Sequence, residues 1–126
     1  MNGTNFLIDT NIVIHLTRKD IMIGDFAKKD DRLYISTITY MEALGFPFKN
    51  PNEETITTLL CDAFERLFVT EEIEKETILI RKSLKIKLPD AIIAATAITH
   101  NLTLVTLNNS DFNRINRLNL LVPALS

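Results

Sequence analysis

Short apolar runs alternate with longer segments of helical periodicity along the chain. The apolar runs predict five strands, at about 5–9, 33–36, 67–69, 102–106 and 120–122. The segments between them carry apolar side chains at the spacing of helix turns, and several begin at Ser, Thr, Asn or Pro, which favour helix starts. Alternation of strands and helices is typical of strand-helix-strand units, so the sequence predicts an α/β fold with a parallel sheet.

The predicted helices differ in the face that they can bury. They lie at about 11–19, 21–28, 37–45, 52–66, 89–100 and 112–117, and a long polar helix follows Thr70. The apolar positions of the polar helix are Ile73, Ile78, Ile80 and Leu84. The helix 89–100 carries small residues that allow it to lie close to a sheet, namely Ala91, Ala94, Ala95 and Ala97. Right-handed crossovers place every strand-to-helix turn at one edge of such a sheet, where parallel α/β proteins bind ligands.

Size and composition predict one domain over residues 1–126. A chain of 126 residues with 46% hydrophobic content can bury about two-thirds of its unfolded surface in a single core. The formal net charge is −2, so the chain as a whole has no basic character. Any contact with nucleic acid must therefore come from a local basic patch or through a bound metal ion.

The cysteine content and the N-terminus predict a cytoplasmic location. Cys61 is the single cysteine, so an intrachain disulfide is impossible, and its apolar neighbours predict a buried helical position. The chain has no apolar stretch of about 18 residues, and Asp9 falls where a signal sequence needs its apolar centre. We expect no association with a membrane.

Four acidic residues stand where a solvated carboxylate is not expected. Asp9 ends the first apolar run, Glu42 lies within TYMEALG, Asp90 begins the helix DAIIAATA, and Asp111 follows the fourth strand. Three of them are predicted at the turns of one sheet edge. Crowded carboxylates hold protons or share a divalent ion, and an oxygen-rich site suits Mg²⁺ or Mn²⁺.

Each acid also has a purely structural interpretation. Asp9, Asp90 and Asp111 could serve as helix caps or turn residues, since Asp favours these positions. Glu42 is predicted in mid-helix on an inward stripe with Ile38, Met41 and Gly45. A carboxylate there costs several kcal/mol unless it is paired, with Arg81 as the candidate partner, or bound to metal.

The spacing of these segments matches a known family. The matching segments are IDTN, STITYMEALG, KLPDAIIAATA and LTLVTLNNSDF. From about Phe6 to Val122 the chain resembles PIN-domain ribonucleases, specifically the VapC-type toxins of bacterial and archaeal toxin–antitoxin pairs. The resemblance implies a PIN-like three-layer α/β fold, in which helices flank a five-stranded parallel sheet.

The resemblance also implies an activity and its site. It places the catalytic, metal-binding quartet on Asp9, Glu42, Asp90 and Asp111 and implies RNA cleavage with Mg²⁺ or Mn²⁺, which activates a water and polarises the phosphate. The implied partners are an RNA substrate, a cognate antitoxin protein and a second copy of the chain in a homodimer. The dimer interface could use the 12–16 stretch or the region of Phe46 and Phe48.

Five further residues are predicted to support this site. Thr10, Thr106 and Asn108 lie beside the acids and could orient ligands or waters, although β-branched residues at strand ends are more often structural. Arg81 and Lys82 are candidates for contact with RNA phosphate, although charges on an exposed helix are usually only solvated. Family members often carry Arg where this chain has Leu107, so one positive charge is missing from the rim.

Three other functions remain open on the sequence. Receiver domains and haloacid dehalogenase phosphatases also have acidic sites at a parallel sheet edge. They need, respectively, an Asp ending the third strand or an Asp-x-Asp after the first, whereas this chain has Val69 and Asn11 there. A housekeeping PIN nuclease in RNA processing, or a non-catalytic PIN-fold binding module, would carry the same motifs as a toxin.

Overall fold

Five parallel strands form one sheet in the computed structural model, which describes residues 3–125. The strands are β1 Asn5–Ile8, β2 Arg32–Ser36, β3 Glu65–Leu67, β4 Thr103–Val105 and β5 Asn119–Leu121. Their order across the sheet is β3-β2-β1-β4-β5, and each neighbouring pair is parallel. The predicted α/β fold with a five-stranded parallel sheet is confirmed.

Helices connect the strands and follow the predicted pattern closely. They are α1 Thr10–Thr17, α2 Thr37–Leu44, α3 Pro51–Ala63, α4 Glu71–Ser83, α5 Leu88–Thr99 and α6 Asn109–Phe112, with a 3-10 turn at Ile23–Asp25. The side chains of Ser36 and Thr70 accept hydrogen bonds from backbone N–H groups at the starts of α2 and α4. These two predicted caps satisfy amides that have no partner within the helix.

The core lies in two layers, one on each side of the sheet. On one side Leu7 and Leu104 pack with α4, α5 and the segment after α6. On the other side Phe6, Ile8 and Val105 pack with α1, α2 and α3. Successive strand residues point to opposite faces, so both faces of β1 and β4 are buried and the two strands hold the middle of the molecule.

The alanines of α5 allow this helix to approach the sheet closely. Ala91, Ala94, Ala95 and Ala97 are completely buried, as the sequence predicts. Cys61 is buried on α3, also as predicted, and burial raises the pKa of its thiol to about 11. A thiol with this pKa stays protonated at neutral pH and acts as a small apolar side chain.

Three predicted positions are wrong in their details. The third strand is Glu65–Leu67 rather than 67–69, and α3 ends at Ala63 rather than near residue 66. The helix after the fourth strand is Asn109–Phe112 rather than 112–117. On α4, Ile78 is 53% exposed, and the buried positions are Ile73, Thr77 and Ile80.

One of the two regions predicted for a dimer interface is not accessible. Ile12, Val13 and Leu16 belong to the core of this chain, so they cannot also bind a second copy. Phe46 is 43% exposed and packs edge-on against Phe48. The homodimer itself stays a prediction. Within residues 3–125, none of the helices has both the length and the apolar character needed to cross a membrane.

Candidate active site

The two central strands end side by side and place polar residues together at one sheet edge. Ile8 of β1 pairs with Val105 of β4, and Asp9 and Thr106 follow them. The backbone N–H of Asp9 donates to the Val105 carbonyl at 3.0 Å, which extends the pairing by one residue. Asp9 also caps α1 by accepting from the Thr10 N–H at 2.8 Å. The cap interpretation of Asp9 is therefore correct, but it uses only one carboxylate oxygen.

The other oxygen of Asp9 is held by two side chains. The Thr106 hydroxyl donates to Oδ2 at 2.7 Å, and the Asn11 amide donates to the same oxygen at 3.2 Å. Asp9 is only 4% exposed, so these donors replace the water that it loses. The predicted supporting role of Thr106 thus takes a specific form, because Thr106 fixes the orientation of the Asp9 carboxylate.

Asn11 is a site residue that the sequence did not predict. Its amide nitrogen donates to Asp9 and, at 3.3 Å, to the Thr106 hydroxyl, while its Oδ1 accepts from the Leu107 N–H at 3.2 Å. Asn11 therefore joins the start of α1 to the turn after β4. The third position of the IDTN segment was the only available signal, since nothing else in the sequence places residue 11 next to residue 107.

Asn108 extends these hydrogen bonds to Asp111. Its N–H donates to the Thr106 hydroxyl at 3.0 Å, and its side-chain amide donates to Asp111 Oδ2 at 3.0 Å. The Asn108 Oδ1 caps α6 by accepting from the Asp111 N–H at 3.4 Å. We call Asp9, Asn11, Thr106, Asn108 and Asp111 the polar chain. It fixes two of the four predicted acids relative to each other.

Glu42 reaches the same edge from α2, but it is not buried. Its Oε1 accepts from the Thr10 hydroxyl at 2.6 Å, and the side chain is exposed. The predicted inward stripe is wrong, because the buried residues of α2 are Thr39 and Ala43, while Met41 is 57% exposed. Arg81, the predicted structural partner of Glu42, instead donates from Nε to the Ile86 carbonyl at 3.3 Å. Glu42 therefore faces the solvent-accessible side of the site.

The charges of the four acids affect one another. Burial is the main reason that the pKa of Asp9 rises to about 6, the hydrogen bonds from Thr106 and Thr10 oppose this rise, and the charges of Asp90 and Glu42 add to it. The pKa of Asp90 is also raised, first by burial and then by Glu42 and Asp111, while Lys87 opposes the rise. Asp90 thus lies close enough to feel all three other carboxylates.

This arrangement fits a hydrated Mg²⁺ or Mn²⁺ ion. All four donors are oxygen atoms, which these ions prefer, and an ion would relieve the repulsion that raises the two pKa values. Among residues 3–125, no three Asp, Glu, His or Cys side chains already close around a single ion position. That openness suits Mg²⁺, which usually keeps several of its waters and takes one or two carboxylates directly.

The chain is similar to known proteins over almost its whole length. The family model described as PIN domain matches residues 6–118. Over 132 aligned residues the chain is 33% identical to the protein named Ribonuclease VapC from Rickettsia bellii (strain RML369-C), and the alignment covers 94% of this chain and 96% of that relative. The chain belongs to the VapC family of PIN domains.

Solved structures with the same fold include two toxin–antitoxin assemblies. This PIN domain is 32% identical to a chain of a toxin–antitoxin complex from Klebsiella pneumoniae, with a TM-score of 0.73 and coverage of 94% and 97% of the two chains. It is 28% identical to a chain of VapBC-1 from nontypeable Haemophilus influenzae, with a TM-score of 0.75 and coverage of 94% and 98%. The family resemblance seen in the sequence is confirmed.

The predicted basic residues lie on one side of the PIN-domain site. Arg81 and Lys82 occupy the last turn of α4, ahead of the short connection to α5 and Asp90. Arg114 lies within 4.0 Å of Asp111. His15, by contrast, pairs with Asp20 at 2.9 Å, outside the acidic edge. The basic side chains nearest the quartet therefore come from the end of α4, the connection to α5, and the segment after α6.

Proposed function

We propose that this chain is a metal-dependent endoribonuclease and the toxin of a VapBC-type toxin–antitoxin pair. The observation that carries the proposal is the set of four carboxylates, Asp9, Glu42, Asp90 and Asp111, at the carboxyl edge of a PIN-domain sheet. Membership of the VapC family supports the ribonuclease activity. A non-catalytic binding module would have no need for carboxylates whose charges raise the pKa values of their neighbours.

Asp9, Glu42 and Asp90 are the residues that we propose as metal ligands. Asp111 lies beyond Asp90, where its carboxylate is available for a second ion or for the attacking water. When bound, Mg²⁺ or Mn²⁺ supplies an activated water and polarises the scissile phosphate. An isolated cluster of acids would repel RNA, so the ion also makes the site compatible with a polyanionic substrate.

The neighbouring polar residues have the role of positioning these ligands. Thr106 and Asn11 both donate to Asp9 Oδ2, and Thr10 donates to Glu42 Oε1. Asn108 donates to Asp111. Hydrogen bonds from outer residues orient ligand carboxylates and set which lone pairs remain available. Thr10, Thr106 and Asn108 thus act through the acids rather than on the substrate.

The proposed protein partner is a cognate antitoxin. The two similar solved structures are described as a toxin–antitoxin complex and as VapBC-1. An antitoxin that covers the acidic edge would block both metal and RNA. The proposed site of action is the cytoplasm, where cellular RNA is available.

The nuclease proposal is tested with purified protein and RNA. Cleavage is expected with Mg²⁺ or Mn²⁺, and EDTA should abolish it. Asp90→Asn removes one metal ligand and should reduce the rate by at least about a hundredfold, as loss of a central electrostatic group does in other enzymes. Asp62→Asn is the matched control, because Asp62 is an exposed carboxylate on α3 outside the site. Equal cleavage by wild type and Asp90→Asn would contradict the proposal.

The toxin role is tested separately in cells. Induced expression of the chain alone should arrest growth, and Asp90→Asn should remove the arrest at equal protein level. Co-expression of the reading frame that overlaps or immediately precedes this one should restore growth. A chain that cleaves RNA in vitro but leaves growth unchanged would instead be a housekeeping nuclease.

A further inference from the structure

Positive charge is concentrated next to the acidic site although the chain as a whole is negative. The segment 81–87, RKSLKIK, contains four basic residues and no acidic ones, in a chain of net charge −2. Its basic residues are Arg81, Lys82, Lys85 and Lys87. All four are exposed. With Arg114, which approaches from the segment after α6, they form what we call the basic surface.

The basic surface borders a large open groove. The groove has a volume of about 710 Å³, and its lining includes Arg81, Lys82 and Lys85 together with the apolar side chains of Ile86 and Leu88. Leu88 opens α5 two residues before Asp90. One end of the groove therefore lies at the start of the helix that carries a proposed metal ligand.

Two contacts link the basic surface to the acids themselves. Lys87 lies close enough to Asp90 for its charge to affect that carboxyl group. Arg114 donates to the Lys85 carbonyl at 3.0 Å and also lies 4.0 Å from Asp111. A polyanion on the basic surface would therefore continue directly to Asp90 and Asp111.

The cations of the segment 81–87 are available to an external anion. Within residues 3–125, none of its four basic residues has a carboxylate within the 4.0 Å of a salt bridge, whereas Lys75 pairs with Glu71 and Arg117 with Glu76. The Nε of Arg81 is fixed by the Ile86 carbonyl, which orients the guanidinium before any ligand arrives. Basic residues in the last turn of a helix also stabilise its dipole. That effect accounts for Arg81 and Lys82 but not for Lys85, Lys87 or Arg114.

We propose that the basic surface binds the phosphate backbone of the single-stranded RNA that the acidic site cleaves. The inference rests on the proposed nuclease function and specifies how its substrate is held. Contacts of Lys and Arg with phosphate supply affinity without reading sequence. An acidic protein segment would also be attracted to these cations. RNA is favoured because the basic surface leads into the four carboxylates, which would repel an acidic peptide but could hold a phosphodiester through metal ions.

The experiment measures RNA binding apart from cleavage. A short fluorescein-labelled single-stranded RNA is titrated with the full chain in EDTA, by fluorescence anisotropy over a series of salt concentrations. The double variant Lys82→Gln with Lys85→Gln is compared with Lys28→Gln with Lys29→Gln. The control pair removes the same charge from the loop before β2, at the opposite end of the parallel strands from Asp9.

The expected result is a loss confined to the groove variant. It should bind about tenfold more weakly at low salt, and its salt dependence should fall by about 0.7 per lost phosphate contact on a single strand. With metal present, its KM for cleavage should rise while kcat changes little. The control variant should match wild type in binding and salt dependence.

Three results would overturn the inference. They are equal losses in the two variants, unchanged binding by the groove variant, and no RNA binding by the wild type. If the groove variant keeps RNA binding but loses its complex with the antitoxin, the basic surface is a protein-docking surface instead. The nuclease proposal fails separately, through absence of metal-dependent cleavage by the wild type, so failures of the two proposals are distinguishable.

Discussion

Asp9 should make the metal-free protein less stable as pH rises. Its pKa is raised from 3.8 in the unfolded chain to about 6 in the fold, so the folded state binds the proton more tightly. The stabilising effect of that proton is fully present below pH 3.8 and is lost as pH rises to about 6. The loss corresponds to about 3 kcal/mol.

Asp9→Asn removes this titration. The free energy of unfolding of the variant, relative to wild type, should therefore increase by up to about 3 kcal/mol between pH 4 and pH 7 in EDTA. Urea denaturation at a series of pH values measures the difference, in which the titrations of other groups largely cancel. Parallel stability profiles for the two proteins would show that burial of Asp9 has no such effect.

Asn11 offers a sharper test of the polar chain. Asn11→Asp replaces a donor to Asp9 by a second carboxylate and should destabilise the metal-free protein by about 1–3 kcal/mol. Excess Mn²⁺ should reduce this loss, because the added charge also attracts the cation. Asn11→Ala is the matched variant: it loses the hydrogen bonds without adding charge, so Mn²⁺ should not restore it. Equal responses of both variants to Mn²⁺ would contradict this assignment.

Single residues differed in how well the sequence predicted them. Asp9 and Thr106 were predictable because an apolar strand followed by a polar residue marks the carboxyl edge of a parallel sheet. Asn11 was not, since its hydrogen bond to the Leu107 N–H depends on the pairing of β1 with β4. Glu42 was placed at the correct edge, but its exposure was mispredicted because Thr39 and Ala43 are the residues of α2 that face the core.

Helix α5 depends on small side chains for its close approach to the sheet. Ala94 is completely buried, so Ala94→Leu adds three carbon atoms where no space exists and should cost about 1–3 kcal/mol of unfolding free energy. Ala63→Leu is the control, because Ala63 is exposed at the end of α3, and it should change stability by less than about 0.5 kcal/mol. Urea denaturation measures both. No loss for Ala94→Leu would mean that α5 can move away from the sheet.

The elements that the sequence misplaced lie at the margins of the sheet. β3 has only β2 as a neighbour, and its apolar residue Phe68 is 60% exposed. The Arg66 guanidinium lies 5.0 Å from the Phe68 ring and 3.9 Å from the Tyr40 ring, so the apolar run continues past the strand without entering the core. Strands with both faces buried, such as β1 and β4, leave a clearer apolar pattern.

The folded molecule as a whole should be stabilised by the ions that it is proposed to bind. An ion at a hundred times its dissociation constant adds about 2.7 kcal/mol if it binds only the folded chain. Mg²⁺ or Mn²⁺ should therefore raise Tm by several degrees. The rise should be smaller in Asp90→Asn and unchanged in Asp62→Asn. Calorimetry at constant ionic strength measures these shifts, and identical shifts in all three proteins would indicate binding elsewhere.

The polar chain has a consequence for the synthesis of this protein. Asp9 and the Thr106 hydroxyl that orients it are 97 positions apart, so a ribosome must translate more than four-fifths of the message before they can meet. Nascent chains that end before β4 lack both Thr106 and Asp111. A growing polypeptide of this kind has no assembled nuclease site, and the ribosome that makes it is protected from its product until release is near.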